Sequence, residues 1–234
     1  MTQFIKEIAP NLYAYRDRFF TSCRATGEMF IQAGLIAFFV GLLFGIILVI
    51  AKKGGIWENP VLYQLSNLII NVFRAIPFII LLIFLIPLTR AVVGTAIGVK
   101  GAILPLVFGT VPFYTRQVEV ALSGVAPGKI EAARSMGSST LGLIFRVYLH
   151  EAVPELIRVT TVTAISMIGL TTMAGAVGAG GIGSFAINYG QNQGHQDIVN
   201  VCVVVLLVLV FFLQSLGNLL AKKTTNRSLF RARH

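Results

Sequence analysis

Long apolar runs with almost no charge dominate the chain and set its predicted elements. A membrane-spanning helix needs about 20 mostly apolar residues. Five segments meet this requirement: 29–51, 66–88, 92–113, 159–173 extending into 174–183, and 198–221. Within them, only Arg74 in the second and Lys100 in the third carry a formal charge. The pattern predicts an all-α integral membrane protein with five spans, or six if the glycine-rich end of the fourth crosses separately.

Composition supports one membrane domain. Of the 234 residues, 56% are hydrophobic and 12% charged, against about 25% charged in an ordinary soluble domain. The mean hydropathy is +0.81. Cys23 and Cys202 are far apart and indicate no disulfide framework. No basic segment followed by an apolar one begins the chain, so we expect no cleavable signal peptide.

The net charge of +10 is explained by topology rather than by nucleic-acid binding, because the basic residues flank the apolar runs. With the C-terminus inside, eleven basic residues fall in inner segments: Lys52, Lys53, Arg116, Lys129, Arg134, Arg146, Lys222, Lys223, Arg227, Arg231 and Arg233. Six fall in outer segments: Lys6, Arg16, Arg18, Arg24, Arg90 and Lys100. This excess predicts an outer N-terminus and a basic cytoplasmic tail over 221–234.

The N-terminal segment 1–25 is predicted to be extracellular and amphipathic. An apolar stripe recurs there at helical spacing: Leu12, Tyr15, Phe19 and Cys23. Pro10 suits a helix start. Two interpretations stand: a separate helix over 11–23 lying on the outer membrane face, or a simple extension of the first span.

The longest polar loop, 116–156, lies on the inner side. Pro127 and Gly128 break the chain, and 129–136 then holds strong helix formers. The spacing places Glu131 in the first helical turn, where a carboxylate suits the helix dipole. We expect Gly137 to end this helix.

Small residues on this short helix suggest a role for it. Ala132 and Ala133 leave its surface bare, so a partner protein has room to pack close to the backbone. A second helix is predicted to start near Ser139 and run toward the membrane. The alternative is a solvated cytoplasmic hairpin without a partner.

The stretch "EAARSMG" followed by "VYLHEAVP" resembles the coupling-loop motif of ABC importer permeases. That motif is E-A-A, three residues, Gly, nine residues, an aliphatic residue, one residue, Leu and Pro. The matching residues are Glu131, Ala132, Ala133, Gly137, Val147 and Leu149. His150 stands in the final Pro slot and Pro154 follows four residues later, which leaves the position of the helix break open.

Two further stretches, 71–82 ("NVFRAIPFIILL") and 165–190, resemble the methionine-importer permease subfamily. The resemblance extends over about 26–220 and implies the type I ABC importer permease fold, in a bacterial inner membrane. It also implies a permease dimer, two cytoplasmic ATPases that use ATP and Mg²⁺, and an extracellular or periplasmic amino-acid-binding protein. The coupling helix 131–137 would then sit in a groove of each ATPase. Transport of methionine and related thioether amino acids by alternating access is the function this predicts, with permeases for other amino acids or small metabolites as the alternative.

A translocation path or gate is predicted from polar residues, methionines and a proline in the spans. In the second span, Arg74 is interpreted as a lining residue or as a side chain snorkelling to the inner surface, and Pro77 as a kink. The fourth span contains two hydroxyl-bearing and two polarizable thioether side chains: Ser166, Met167, Thr171 and Met173. These line the path or pack in the core.

The glycine-rich stretch "AGAVGAGGIG", 174–183, contains G-x-G-x-x-G. It follows a membrane span rather than a β-strand, so a dinucleotide site is rejected. Two interpretations remain for Gly178, Gly180 and Gly181: close helix packing across a dimer, or a bendable outer gate. The resemblance favours the gate.

Other function classes fit less well. No phosphate-binding loop motif appears, so this chain is not expected to bind ATP or to be an enzyme. No metal site is predicted, because His150, His195 and His234 are scattered. A secondary transporter would need ionisable residues deep in several spans and an internal repeat. A membrane scaffold protein without transport activity would not need the exposed helix with small residues in the 116–156 loop.

Overall fold

The computed structural model describes residues 9–231, and side chains over 9–225. Lys6 and Arg233, used above for topology, and His234 lie outside the described residues, as do the side chains of Arg227 and Arg231. The α-helices in chain order are α1 (Pro10–Ala14), α2 (Arg16–Ala51), α3 (Pro60–Ala75), α4 (Phe78–Phe84), α5 (Ile86–Val93), α6 (Gly98–Ser123), α7 (Pro127–Ser135), α8 (Leu149–Ala174), α9 (Gly181–Phe185) and α10 (Gln196–Arg231). Shorter helical turns join α7 to α8 and α8 to α10: Thr140–Gly142, Leu143–Tyr148, Gly175–Ala179, Ala186–Gly190 and Gln191–Gln193.

Three helical runs in the described chain are long and apolar enough to cross a membrane, and the count reaches five if each bent pair is one span. The long runs are Arg16–Ala51, Thr140–Ala179 and Gln196–Thr225, and the bent pairs are α3 with α4 and α5 with α6. The predicted all-helical membrane fold is therefore confirmed. The predicted single runs are wrong in detail, because 66–88 and 92–113 each contain helix breaks.

Proline and glycine cause these breaks. Pro77 has φ −56° and ψ 134° and forms no helical N–H bond, so α3 ends at Ala75 and α4 begins after Pro77. Between α5 and α6 the axis turns by 119°. Gly94 and Gly98 flank this turn with φ values of 82° and 75°, a region that glycine occupies without strain.

The N-terminal prediction of a separate helix is not what the structure contains. α1 ends at Ala14, and α2 then runs unbroken from Arg16 to Ala51, with no proline inside it. The stripe of Tyr15, Phe19 and Cys23 packs on a buried cluster that includes Phe185 and Cys202. The alternative of an extended first helix agrees with the structure, and the stripe is covered by protein.

The chain divides into two compact units. The first comprises the described residues up to Ile36, together with Ile76–Gly109 and Ile165–Phe212. Its core has two clusters, one around Met29, Leu106 and Met167, the other around Phe185 and Ile198.

The second unit comprises Ala37–Ala75, Thr110–Ala164 and the residues from Leu213 onward. Its core gathers Tyr114, Val118, Leu122 and Tyr148. Gly41 lets α2 approach α6 closely, because a Cβ there would lie 2.7 Å from Cδ1 of Tyr114. The Tyr114 hydroxyl is satisfied by Thr160 Oγ1 at 2.8 Å.

Candidate functional site

The short helix α7 begins at Pro127, which occupies its first turn after the extended Ala126 (φ −59°, ψ 126°). Proline suits this position because its fixed φ is already helical and its missing N–H has no intrahelical partner there. Glu131 is therefore the fifth residue of α7, and its prediction in the first turn is wrong. Pro127 and Gly128 start the helix rather than break the chain before it.

Gly137 terminates α7 in the conformation that the sequence predicts. Its φ is 78°. Its N–H donates to Arg134 O at 2.9 Å, and the N–H of Ser138 donates to Ala133 O at 3.1 Å. These two bonds are the Schellman pattern, which satisfies carbonyls at a helix end and requires a left-handed residue.

The loop around α7 presents a mixed surface. Glu131 and Ala132 are exposed, whereas Ala133 is only 6% exposed. Ala133 therefore packs within this chain, which corrects its prediction as bare surface. Three large apolar side chains are exposed on and after α7: Met136 at 78%, Leu141 at 67% and Phe145 at 64%. Leu141 and Phe145 belong to the apolar run Thr140–Ala179, whereas Met136 lies outside the span candidates, where apolar exposure is typical of a protein-docking surface.

This loop is held in place by specific contacts of the second unit. Lys129 forms an ion pair with Glu151. Ser139 caps the following helix, since its Oγ accepts from the N–H of Gly142 at 3.2 Å. The helical run then continues through His150 and over Pro154, which lies inside α8. Replacement of the usual proline by histidine therefore coincides with an unbroken helix at that position.

Two asparagines and an ion pair join α3 to α6, and the sequence interpretation missed them. Arg116 pairs with Glu119, Nη1 to Oε2 at 2.6 Å, and both side chains are under 20% exposed. Its Nη2 donates to Oδ1 of Asn71 at 2.9 Å and to Oδ1 of Asn67. The only sequence signal was the spacing of Asn67 and Asn71, four residues apart on one helix face.

Arg74 lies in the last turn of α3 and is exposed. Pro60 begins this helix, so Arg74 is 14 residues from its start, or about 21 Å at 1.5 Å per residue. Because α3 and α4 are bent by 103° at the break that follows, this length along α3 is not a depth in the membrane, and the lining and snorkelling interpretations of Arg74 both stay predictions.

The four residues of α8 that were predicted to line the path lie on two faces of the helix, one buried and one exposed. Met167 is 2% exposed and Thr171 1%, and Met167 packs in the core of the first unit. These two therefore do not line an open surface, which corrects their prediction. Ser166 and Met173 are exposed, at a spacing of seven residues, and so lie on one face of α8.

The glycine-rich stretch forms a sharp reversal after α8. Gly178, Gly180 and Gly181 have φ values of 97°, 83° and 80°, where side chains other than glycine are strained. The reversal brings backbone against backbone, since a Cβ on Gly175 would lie 2.7 Å from Ser184 N. Thr26 Oγ1 accepts from the N–H of Ile182 at 2.8 Å and ties the reversal to α2. Bending and close packing thus occur together, within one chain.

Polar contacts fasten the N-terminal segment to the start of α10. Asp197 accepts from Asn11 N and Asn11 Nδ2, both at 3.0 Å. Tyr15 Oη donates to Gln193 Oε1 at 3.1 Å, and Arg18 stacks over the ring of Tyr189. The polar loop that contains Tyr189 and Gln193 is therefore partly covered by the chain itself.

The described residues contain no group of three or more His, Cys, Asp or Glu side chains placed to hold a metal ion. The features that carry chemical information are instead the exposed loop around α7, the polar contacts between α3 and α6, the exposed face of α8 and the glycine reversal.

Comparison with known proteins identifies related chains. The family model described as "binding-protein-dependent transport system inner membrane component" matches residues 41–226. The chain is 39% identical over 211 residues to a probable D-methionine transport system permease protein, MetI, of Vibrio cholerae, covering 90% of this chain and 94% of that one. It is 43% identical over 174 residues to the methionine import system permease protein MetP of Bacillus subtilis, covering 74% and 78% respectively.

Solved structures agree with these sequence relatives. A chain of the MetNI methionine ABC transporter in an inward-facing conformation matches with a TM-score of 0.88 and 38% identity, covering 90% of this chain and 98% of that one. An amino acid ABC transporter crystallised with histidines matches with a TM-score of 0.75 at 16% identity, covering 91% of this chain and 96% of that one. The second match supports the fold alone.

Proposed function

Because the chain belongs to the family of binding-protein-dependent transport system inner membrane components, we propose that it is the membrane-spanning permease subunit of an ATP-driven methionine importer. It is a non-catalytic transport subunit, and the related MetNI methionine ABC transporter indicates a separate ATPase partner. Methionine, in its L or D form, and related thioether amino acids are the proposed substrates. Their support is the identity to methionine permeases over most of the chain.

The exposed loop around α7 carries this proposal. Its helix is held from the membrane side by the Lys129–Glu151 ion pair, and it exposes Ala132 and Met136. We propose that each of two permease copies presents this loop to one of two cytoplasmic ATPases. ATP with Mg²⁺ would bind to the ATPases. Closure of the two ATPases on each other would then move α7 and shift the permease between its inward-facing and outward-facing states.

The remaining partners and the orientation are part of the same proposal. An extracellular or periplasmic amino-acid-binding protein delivers the substrate, and the N-terminus faces outward with the C-terminus in the cytoplasm. The proposed path residues are Arg74, which belongs to the second unit, and Pro77, Ser166 and Met173, which belong to the first. Gly178, Gly180 and Gly181 are proposed gate residues, supported by their left-handed backbone.

Reconstitution tests the proposal. The permease, its ATPase and its binding protein are placed in lipid vesicles, and ATP-dependent uptake of labelled methionine is measured. We expect uptake only with ATP, and competition by thioether amino acids stronger than by histidine. Uptake that proceeds without the ATPase contradicts the importer, whereas stronger competition by histidine contradicts the substrate assignment.

Two neighbouring alanines provide a matched test of α7. Ala132 is exposed and Ala133 is buried, so leucine at each position has a different effect. Ala132→Leu is expected to block ATPase docking and abolish uptake while thermal stability is unchanged. Ala133→Leu overpacks the loop, at a cost of about 1–3 kcal/mol, and lowers stability. Normal uptake by Ala132→Leu would remove α7 from the coupling mechanism.

A further inference from the structure

The side chains of α3 that carry an amide or a guanidinium group form a single stripe along the helix. They are spaced by three, four and three residues: Gln64, Asn67, Asn71 and Arg74. At 100° per residue they fall within about 80° of arc. Ser66 and Ile70, on one side of this stripe, are buried. On the other side the side chains are apolar and exposed: Val61, Leu65, Leu68 and Val72.

The middle of the stripe is braced from α6. The guanidinium of Arg116 donates to the side-chain oxygens of both Asn67 and Asn71, and Glu119 compensates its charge. A weaker contact of 3.4 Å runs from Asn71 Nδ2 to Asn67 Oδ1. Arg116 and Glu119 are therefore positioning residues, which fix the two amides and add no net charge to the stripe.

Arg74, at the C-terminal end of the stripe, differs from Arg116. It forms no hydrogen bond, ion pair or cation–π contact within the described part of the chain, and α3 carries no acidic residue. Arg116 and Glu119 cancel, so Arg74 leaves the stripe with one uncompensated positive charge. A charge within a membrane-spanning pair of helices, such as α3 with α4, faces a water-filled cavity or a partner and is typical of substrate pathways.

We propose that the α3 stripe is a carboxylate-binding wall of the translocation path, and that Arg74 pairs with the α-carboxylate of the transported amino acid. This inference rests on the proposed import function. A guanidinium is suited to the role because its planar donors match a carboxylate with two parallel hydrogen bonds. Asn71, one turn away on the same face, is held by Arg116 beside this site.

The stripe explains why the helix is amphipathic although it belongs to a membrane-spanning pair. Its apolar exposed arc suits lipid, and its arc with Ser66 and Ile70 is buried. The polar arc between them suits neither lipid nor the core, because polar groups buried without partners are costly. Water and a zwitterionic substrate satisfy both the amides and the free guanidinium.

Photo-crosslinking tests this assignment without involving the binding protein. The permease–ATPase complex in lipid nanodiscs is irradiated with a diazirine analogue of methionine or with the carboxamide of that analogue. Mass spectrometry then quantifies label on α3 and α6 peptides of the permease. In the wild type we expect the acid to label these peptides about tenfold to a hundredfold more than the carboxamide, the ratio expected for a charge-assisted hydrogen bond.

Variants sharpen the test. Arg74→Gln is expected to reduce labelling by the acid to the level of the carboxamide, and Arg74→Lys to retain part of it. Arg90→Gln, an exposed arginine of α5, is the matched control and should label like the wild type. Equal labelling by acid and carboxamide in the wild type, or undiminished labelling of Arg74→Gln, overturns the proposal.

Two other outcomes are separated by the design. If Arg74→Gln splits the complex into single permease chains on size-exclusion chromatography, Arg74 pairs with a second copy and the carboxylate site is wrong. The wild-type uptake assay reports separately on the import function. ATP-dependent methionine uptake together with no acid preference refutes only the α3 site, whereas absent uptake refutes the import function itself.

Discussion

Gly175 offers the sharpest test of the glycine reversal. Replacement by alanine would place a Cβ 2.7 Å from Ser184 N, 2.8 Å from Gly180 O and 3.1 Å from Gly183 Cα. All three neighbours are backbone atoms, so no side-chain rotation relieves the overlap. The reversal has to open or shift as a whole.

The magnitude follows from the cost of overpacking. Forcing one extra carbon into a packed site costs about 1–3 kcal/mol, so we expect Gly175→Ala to lower stability by about 2 kcal/mol. For a chain of this size that corresponds to a melting temperature lower by roughly 4–8 °C. Gly27→Ala is the matched control. It lies within α2 with no atom within 4 Å of its added Cβ, and alanine is favoured over glycine in helices by about 0.5–1 kcal/mol.

Thermal melting of the assembled complex measures the effect. A fluorescent tag on the permease follows the fraction that stays monodisperse on size-exclusion chromatography after heating. We expect Gly175→Ala to melt below the wild type and Gly27→Ala at or above it. Melting of both variants at the wild-type temperature would show that the reversal has room for a methyl group, and the reasoning from close backbone packing would be refuted.

Three further predictions concern other contacts. Gly137→Ala forces a left-handed alanine at the end of α7, a cost of about 1–2 kcal/mol, and should weaken ATPase binding about tenfold in a pull-down titration. Asp197→Asn removes the charged acceptor of Asn11, so hydrogen exchange over 10–23 should accelerate about tenfold. Tyr114→Phe loses the hydrogen bond to Thr160, worth about 1 kcal/mol, and should lower the melting temperature by roughly 2–4 °C.

The features predicted most accurately from the sequence are those that depend on a few consecutive residues. The glycine cap at Gly137 was correct because a left-handed helix terminus depends on a few consecutive residues. The start of α7 was misplaced because proline and glycine serve equally as breakers and as first-turn residues. The breaks in the second and third predicted spans were missed because a bent pair of helices and a straight span have the same apolar composition.

Side-chain surroundings were harder to predict, since they depend on residues distant along the chain. Ser166 and Met167 are adjacent and were given the same prediction, lining the path or packing in the core, yet only Met167 packs in the core. The asparagine partners of Arg116 are 45 and 49 residues away, on α3, and no local pattern around Arg116 indicates them. Which face of a membrane helix is covered is decided by tertiary packing, and a single sequence carries little information about it.

The contact between Asn11 and Asp197 joins residues 186 positions apart. During synthesis at about 5–20 residues per second, roughly 10–40 s pass between the appearance of the first residue and that of the second. Throughout this interval Asn11 lacks the Asp197 carboxylate that it binds in the folded chain. The N-terminal segment can therefore make this contact only after the start of α10 has been synthesised, so the first unit is completed late in the synthesis of the chain.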